Sequence, residues 1–398
     1  MTDRILFVDD DRRILQGLRR TLRGMRGKWD MSFAESGMDA LRMLEKQPAH
    51  VVVSDMRMPG MDGAQLLSEV RKRHPGTIRI ILSGHANEES VRRTVDPAHQ
   101  YLAKPCDSEV LVDTIQCALG LRRLLGNKDL QSLVAGLKNL PSPPATYFKV
   151  VEELRSDHSS VDSVARIIAQ DVAMTAEILK LTNSSYFGLS GRVTTAKHAV
   201  QVLGMETVQA LVLKIGLFRQ FKGGTEFTSV IRTLNNRGLE TAVAARTIAK
   251  LEKLDRVVAD QAFCAGMLSD IGVLVLIDNR QGGYRKVMDL VKTNGANPVL
   301  AERRVFGASH AELGAYLAGL WGYSDSVVEA IAYHHGPGKC ACREVSALTA
   351  VHVAQALIGD WRPATVGNDP EARLDKPYLT KIGVAGRMKA WKKAIGTR

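Results

Sequence analysis

The sequence is poor in cysteine and in aromatic residues, and it has no long uninterrupted apolar run. Its cysteines, Cys106, Cys117, Cys264, Cys340 and Cys342, form an odd and sparse set, unlike the framework of a secreted disulfide-rich domain. No window approaches the roughly 18 consecutive apolar residues of a membrane span, and the start MTDRILFVDD lacks the apolar segment of a secretory signal. We therefore predict a cytoplasmic chain with free thiols and no membrane partner.

The chain also lacks internal repeats and tracts rich in Pro, Gly or Ser. Hydrophobic residues make up 45% and charged residues 24% of its 398 residues, the balance of a globular protein of about two to three folding units. Half of the net charge of +12 lies after residue 360. We interpret this basic tail as a solvated helix face and do not predict DNA binding. A patch for nucleic acid or an acidic partner is the alternative.

The first 125 residues alternate short β-rich apolar runs with amphipathic segments. The runs RILFV, MSFAES, HVVVSD, RIILS and QYLAK predict five strands, each followed by helical patterning. This alternation predicts a doubly wound α/β domain, with a five-stranded parallel sheet covered by helices on both faces. Beyond Gly126, apolar residues recur at three- and four-residue spacing, so the rest of the chain is predicted to be all α.

Polar side chains stand at the ends of the predicted strands: Asp9 and Asp10 after ILFV, Asp55 after VVVS, Ser83 after RIIL, and Lys104 after YLA. In a parallel sheet these positions meet at one edge. Clustered carboxylates repel one another, and a hard dication such as Mg²⁺ relieves the repulsion. Phosphoryl transfer needs positioning and charge neutralisation, so Asp55 is the predicted nucleophile, Lys104 the second cation and Ser83 a hydroxyl donor. The alternative is that the aspartates only cap helices and turns.

The motifs DD near the start, DxxMPxMDG in the middle and YxxKP near the end resemble the receiver domain of two-component response regulators, over residues ~4–123. This resemblance implies a flavodoxin-like fold and phosphorylation of Asp55. It also implies that Mg²⁺ is bound by Asp9, Asp10, Asp55 and the backbone carbonyl of Arg57, with Asp9 acting partly through water.

The same resemblance assigns Ser83 and Tyr101 to a switch pair, in which the hydroxyl moves toward the phosphoryl group and the aromatic ring turns inward. A merely packed, half-buried ring is the alternative for Tyr101, because an amphipathic side chain suits any sheet edge. The chain departs from the family at Gly84, where alanine is common, and at Cys106, where an aromatic residue often follows KP. Neither departure removes a residue that is predicted to take part in phosphoryl transfer.

The second half resembles HDOD domains through LPSPPATYFKVVEEL, IIAQDVAMTAEILKLTNSSYFG, FCAGMLSDIGVLVL and HAELGAYLAGLWGYSDSVVEAIAYHHGP. HDOD domains are similar to HD-domain phosphohydrolases that have lost their metal site, so the resemblance implies an HD-like helical fold. We predict a receiver domain at 1–125, a linker at 126–132, an HDOD domain at 133–340 and a helical extension with the basic tail at 341–398.

The residues of a catalytic HD site are largely missing. Such a site needs His and Asp side chains that converge on divalent metals. Where the motif has adjacent His and Asp, this chain has Ser269 and Asp270, and Arg237 aligns with an earlier His. The GYP signature of cyclic-dinucleotide phosphodiesterases is also absent. We therefore expect no metal in the HDOD domain and no hydrolase activity, and we expect Asp270 to cap a helix or to pair with Arg237.

Histidines and cysteines near the end of the HDOD segment raise a zinc hypothesis, because imidazole and thiolate are preferred zinc ligands. The spacing of His334 and His335 before Cys340 and Cys342 matches no standard ligand pattern, and the HH pair also occurs in the HDOD consensus without a defined metal. His310, at a predicted helix start, is expected to cap or to pack.

The leading interpretation is a phosphorylation-controlled, non-catalytic regulator that receives its phosphoryl group from a sensor histidine kinase or a phosphotransfer protein. Its HDOD domain would bind another protein or a small ligand such as a nucleotide, and the receiver would change the exposure or the homodimer arrangement of that domain. One alternative is a receiver-coupled HD-type phosphohydrolase acting on a cyclic dinucleotide. Another is a transcription factor that uses the basic tail, although no compact recognition unit follows the receiver.

Overall fold

In the computed structural model the chain divides into two compact units. Unit 1 comprises residues 1–136, 142–148 and 319–322, and unit 2 comprises residues 137–141, 149–318 and 323–398. The structure describes residues 2–74, 77–83, 98, 100–104, 108–109, 111–112, 114–116, 119, 128–135, 137, 143–154, 156, 158–184, 187, 192–221, 225–340, 344–359 and 370–396.

Unit 1 is built on a five-stranded parallel sheet with the strand order β2-β1-β3-β4-β5. The strands are β1 (Asp3–Val8), β2 (Trp29–Ala34), β3 (Val51–Asp55), β4 (Ile78–Ser83) and β5 (Gln100–Ala103). Every residue of β3 is buried, as expected for a central strand in a sheet covered on both faces. The doubly wound fold predicted from the alternating pattern is confirmed.

Helices connect the strands of unit 1 where the sequence supplies caps. The helices α1 (Arg12–Thr21), α2 (Gly37–Lys46) and α3 (Gly63–Arg73) begin after Asp11, Ser36 and Asp62, whose side chains each accept a first-turn backbone N–H. Further helical residues occur between 108 and 119, and α4 spans Lys128–Ala135. The helix predicted between β4 and β5 falls in the segment 84–97, outside the described residues.

The described residues after Ala135 are mostly helical, as predicted, and nearly all of them lie in unit 2. Its helices are α5 (Ala145–Leu154), α6 (Val161–Ala169), α7 (Val172–Thr182), α8 (Ala196–Leu203), α9 (Met205–Gln220), α10 (Thr228–Leu251), α11 (Arg256–Leu268), α12 (Ile271–Asn279), α13 (Gln281–Asn294), α14 (Pro298–Phe306), α15 (His310–Leu320), α16 (Asp325–Tyr333), α17 (Ala347–Ile358), α18 (Lys376–Lys381) and α19 (Met388–Ile395). Among the described residues, the stretch Arg256–Asn279 is long and apolar enough to cross a membrane, but 89% of that window is buried inside the fold, as in a core helix of a globular protein.

The basic tail ends in a helix that is anchored to the core. Trp391 of α19 is fully buried, and its indole N–H donates to Glu252 Oε1 at 2.6 Å. Arg387 forms an ion pair with the same carboxylate at 3.0 Å. At least one positive charge of the tail, that of Arg387, is therefore paired with a carboxylate within unit 2.

Candidate functional site

The carboxyl ends of the central strands of unit 1 lie side by side. In the register of the sheet, Val8 pairs with Ser54 and Asp55 pairs with Leu82. Asp9, the residue after β1, therefore stands beside Asp55 at the end of β3. This is the edge at which open α/β sheets bind ligands.

Lys104 joins the two carboxylates. Its Nζ donates to Asp9 Oδ2 at 2.7 Å and also to Asp55 Oδ1. In sequence, Lys104 is 49 positions from Asp55 and 95 positions from Asp9, and the parallel strands bring the three residues together. Only 3% of Asp9 and 8% of Asp55 is exposed, so the cluster is largely withdrawn from water.

Backbone amides orient the same carboxylates. Asp9 Oδ1 accepts the amide of Asp11 at 3.0 Å, and Asp55 Oδ2 accepts the amide of Arg57 at 2.7 Å. Burial raises the pKa of Asp9, although the hydrogen bond from Lys104 opposes this shift. Burial also acts to lower the pKa of Lys104, but the hydrogen bonds to Asp55 and Asp9 outweigh it, and the pKa is raised overall. The lysine is therefore held as a cation.

The donor atoms at this edge suit a hard dication. Asp9 and Asp55 already share one cationic group, and Asp10, which follows Asp9 directly, is exposed. Two buried carboxylates, with the exposed carboxylate of Asp10 next in sequence, match the preference of Mg²⁺ for a few carboxylates together with retained waters. Asp9, Asp10 and Asp55 are therefore able to hold Mg²⁺.

The loop after Asp55 depends on two glycines. Gly60 has a φ of +77°, a conformation that side chains with a Cβ adopt at a cost. Gly63 begins α3 close to β3, where an added Cβ would stand 2.1 Å from the carbonyl oxygen of Asp55. The motif DMRMPGMDG therefore reflects a close approach between the loop and the strand that carries Asp55.

The remaining residues proposed from the sequence are only partly covered by the structure. Ser83 is the last residue of β4 and pairs in the backbone with Ala103, and Tyr101 pairs with Ile81. The side chains of Ser83 and Tyr101 lie outside the described part of the chain. The same holds for the whole of four other residues discussed from the sequence: Gly84, Cys106, Cys117 and Cys342.

In unit 2, the expected ion pair between Arg237 and Asp270 is confirmed. The guanidinium Nε of Arg237 lies 3.2 Å from Asp270 Oδ2, and both side chains are buried. Gln355 donates to the same oxygen at 3.2 Å and to the hydroxyl of Ser269 at 2.6 Å. Burial alone would raise the pKa of Asp270, but the charge of Arg237 and further neighbours hold it at about 2. The Asp270 side chain does not cap α12.

Three histidines meet close to Asp270. The ring nitrogens of His310, His334 and His335 that could bind a metal lie within 4.8 Å of one another, and no cysteine joins them among the described residues. Among the described residues, His334 and His335 therefore lie with His310 and not with Cys340, whereas Cys342 lies outside the described residues. Sequence reasoning also missed Glu302, which is fully buried and accepts from His310 Nδ1 at 2.6 Å. The burial of a glutamate in an amphipathic helix leaves no signal in the sequence that distinguishes it from an exposed one.

Comparison with known families accounts for both units. The model of the response regulator receiver domain matches residues 5–116, and the model of the HDOD domain matches residues 140–337. Unit 2 is similar in fold to the crystal structure of an HDOD domain protein of unknown function from Geobacter sulfurreducens, with a TM-score of 0.54 at 22% identity over 69% of this chain and 97% of that one.

The receiver segment also matches curated transcriptional regulators. The chain is 36% identical to the hydrogenase transcriptional regulatory protein HoxA of Cupriavidus necator over 125 residues, which are 31% of this chain and 25% of that protein. It is 39% identical to the transcriptional regulatory protein GlrR of Escherichia coli over 118 residues, 29% of this chain and 26% of that protein. The chain thus spans about a quarter of the length of each. The chain belongs to the response regulators, with an N-terminal receiver domain and a C-terminal HDOD domain.

Proposed function

We propose that Asp55 accepts a phosphoryl group from a sensor histidine kinase or a phosphotransfer protein, and that this modification controls a non-catalytic HDOD domain. The observation that carries the proposal is the contact of one ammonium group, Lys104 Nζ, with both Asp9 and Asp55 at the carboxyl edge of the sheet. A nucleophilic carboxylate beside a fixed cation is the minimum that phosphoryl transfer requires of a protein.

The chemistry uses the carboxylate of Asp55 as the nucleophile. One of its oxygens forms a bond to phosphorus while the bond from phosphorus to the donor imidazole nitrogen breaks, and the imidazole keeps that electron pair. Lys104 stabilises the negative charge of the phosphoryl oxygens, and the amide of Arg57 holds the carboxylate in place. Mg²⁺, held by Asp9, Asp10, Asp55 and the backbone carbonyl of Arg57, would neutralise the remaining charge.

The switch is proposed to start at the phosphoryl group. Ser83 ends β4 and directly follows Leu82, the backbone partner of Asp55. The resemblance to receiver domains makes its hydroxyl the candidate to bind an added phosphoryl oxygen. Lys104 would then exchange part of its contact with Asp55 for the phosphate. Movement of Ser83, followed by that of Tyr101 on β5, would bias the receiver between two arrangements.

The HDOD domain is proposed to act by binding, to a downstream protein or a nucleotide. Arg237 stands where a catalytic HD site needs a histidine, and its guanidinium is bound to Asp270. Ser269 donates its hydroxyl to the carbonyl of Gly266 at 3.0 Å and accepts from Gln355, so its side chain serves the helix packing. The domain boundaries 1–125, 126–132, 133–340 and 341–398, a cytoplasmic location, a homodimer arrangement and the absence of DNA binding belong to this same proposal.

The experiment that tests the proposal is phosphorylation of the full chain by acetyl phosphate with Mg²⁺, followed by mass spectrometry. We expect stoichiometric modification of the wild type and none of Asp55→Asn. The matched control is Asp30→Asn, which removes an exposed aspartate of β2 and should be modified like the wild type. Modification that persists in Asp55→Asn would refute the assignment.

The hydrolase alternative has its own test. The purified chain is incubated with a cyclic dinucleotide in the presence of Mn²⁺ or Mg²⁺, and the expected result is no turnover. Turnover that disappears in Asp270→Ala would overturn the non-catalytic reading of the HDOD domain, because Asp270 is the one member of the His-Asp motif that this chain retains.

A further inference from the structure

Three imidazoles and one carboxylate converge in unit 2. His310 begins α15, His334 and His335 follow α16 directly, and Asp270 precedes α12. We propose that these four residues bind one Zn²⁺ ion, through the Nε2 atoms of the histidines and Oδ1 of Asp270. Three imidazole nitrogens and one carboxylate oxygen form a ligand set that binds Zn²⁺ in preference to Mg²⁺ or Ca²⁺.

The hydrogen bonds of His310 leave its Nε2 as an acceptor. Its Nδ1 lies 2.6 Å from Glu302 Oε2, and the backbone amide of His310 donates to the same oxygen at 2.9 Å. A carboxylate only accepts, so the ring proton is on Nδ1 and the lone pair is on Nε2. A buried carboxylate behind a histidine is the usual second partner of a metal-bound imidazole.

His334 points a second lone pair into the same place. Its Nδ1 lies 2.7 Å from the carbonyl oxygen of Ile331, which can only accept, so Nδ1 again carries the proton. The Nε2 of His334 is buried and has no hydrogen-bond partner in the described structure, and only 1% of the residue is exposed. A buried acceptor without a partner is costly, and a metal ion would satisfy it.

The distances are close to those of a tetrahedral site. Ligands about 2.0 to 2.1 Å from zinc stand about 3.3 Å apart at tetrahedral angles. The Nε2 atoms of His310 and His335 are 3.0 Å apart, in a hydrogen bond that His335 donates and that a shared ion would replace on loss of this proton. Asp270 Oδ1 is 3.6 Å from His310 Nε2, and the ligand atoms of the three histidines lie within 4.8 Å of one another.

The charges around the site favour a dication. Asp270 and Glu302 are buried carboxylates, and Arg237 is a buried guanidinium that pairs with Asp270. Arg237 binds Asp270 Oδ2, whereas the proposed ligand is Oδ1, which faces His310. The guanidinium therefore does not occupy the metal position, and two carboxylates against one guanidinium leave a negative charge for the ion to neutralise.

The proposal revises the expectation of a metal-free HDOD domain. That expectation was based on Ser269 and Arg237, and neither of them is a ligand here. The proposed site uses four protein ligands and leaves no open position for water, which is typical of a structural zinc site. It is therefore compatible with a non-catalytic domain, and it does not depend on phosphorylation of Asp55.

The test is isothermal titration of the chelator-treated full chain with Zn²⁺, in excess Mg²⁺ so that the receiver does not compete. We expect one tight site in the wild type. His335→Ala, which changes an exposed ligand, should bind at least about 100-fold more weakly, and Glu302→Gln about 10- to 100-fold more weakly. His198→Ala, an exposed histidine of α8, is the matched control and should bind as the wild type does.

Two further measurements identify the ligands. Co²⁺ in place of zinc should give the intense visible absorption of a four-coordinate ion, lost in His335→Ala. A double variant Cys340→Ser, Cys342→Ser should bind Zn²⁺ unchanged. The proposal is overturned by equal affinity in His335→Ala and the wild type, by the weak absorption of six-coordinate Co²⁺, or by loss of binding in the cysteine variant alone.

Discussion

The substitution Gly63→Ala tests how closely the start of α3 and the loop before it are packed against Asp55. An added Cβ would lie 2.1 Å from the carbonyl oxygen of Asp55 and 3.0 Å from Ile81 Cδ1. Ordinary contact begins at 3.4 Å, so the start of α3 must move away from the strand by about 1.3 Å. The amide of Gly63 donates to the carbonyl of Met56 at 2.9 Å, so the displacement also strains the loop that carries Arg57.

Two effects of this displacement have different readouts. Overpacking of this kind costs about 1 to 3 kcal/mol of folding stability, measured by urea unfolding. A misplacement of about 1 Å near a reacting group costs about 100-fold in rate, so phosphorylation by acetyl phosphate should slow by about that factor.

The control for this substitution is Gly17→Ala in α1, where an added Cβ meets nothing within 4 Å. In that variant the phosphorylation rate should not change, and the stability should stay equal or rise by up to ~1 kcal/mol. If Gly63→Ala is phosphorylated at the wild-type rate and has wild-type stability, the close packing of Gly63 against Asp55 contributes neither to the phosphorylation rate nor to stability, and the prediction is wrong.

The remaining predictions concern buried groups of unit 2. Burial lowers the pKa of Lys214 to about 7, whereas the unfolded chain holds that proton up to about 10.5. Because the unfolded state binds more protons between these values, the free energy of unfolding should rise with pH from about 7 to 10.5. Lys214→Met should stabilise the chain at neutral pH by up to about 4 kcal/mol and flatten this pH dependence, which urea unfolding across that range would show. A flat profile in the wild type would contradict the prediction. Burial raises the pKa of the Cys264 thiol to about 12, so iodoacetamide should label Cys264 only in urea. Rapid labelling of the native chain, read on the peptide containing Cys264, would show the thiol to be accessible.

Arg237 and Asp270 form a buried ion pair in unit 2. The guanidinium of Arg237 stabilises the ionised form of Asp270, and Gln355 satisfies the same carboxylate oxygen. Breaking such a buried pair from one side is costly, because the remaining charge is left without its partner. Removal of either partner alone should therefore destabilise unit 2.

Local sequence was enough for the fold class and for the position of each strand end. The strands β1 and β3 end at Val8 and Asp55, where polar or acidic residues follow the apolar runs and the chain leaves the sheet. Parallel pairing then requires the residues after neighbouring strands to share one edge, so a sequence reader can group Asp9 with Asp55 and Lys104 without coordinates. The pairing of Arg237 with Asp270 was expected in the same way, from two positions of a known motif.

Tertiary packing alone decided the histidine cluster. His310 begins α15, and His335 lies 25 positions later in the turn after α16. No periodicity relates these two positions. Their meeting, the burial of Glu302 and the orientation of each ring depend on which helix faces the core and on which backbone groups remain to be satisfied. Sequence patterns report the spacing along one element, whereas a ligand set drawn from several helices is specified by how those helices pack.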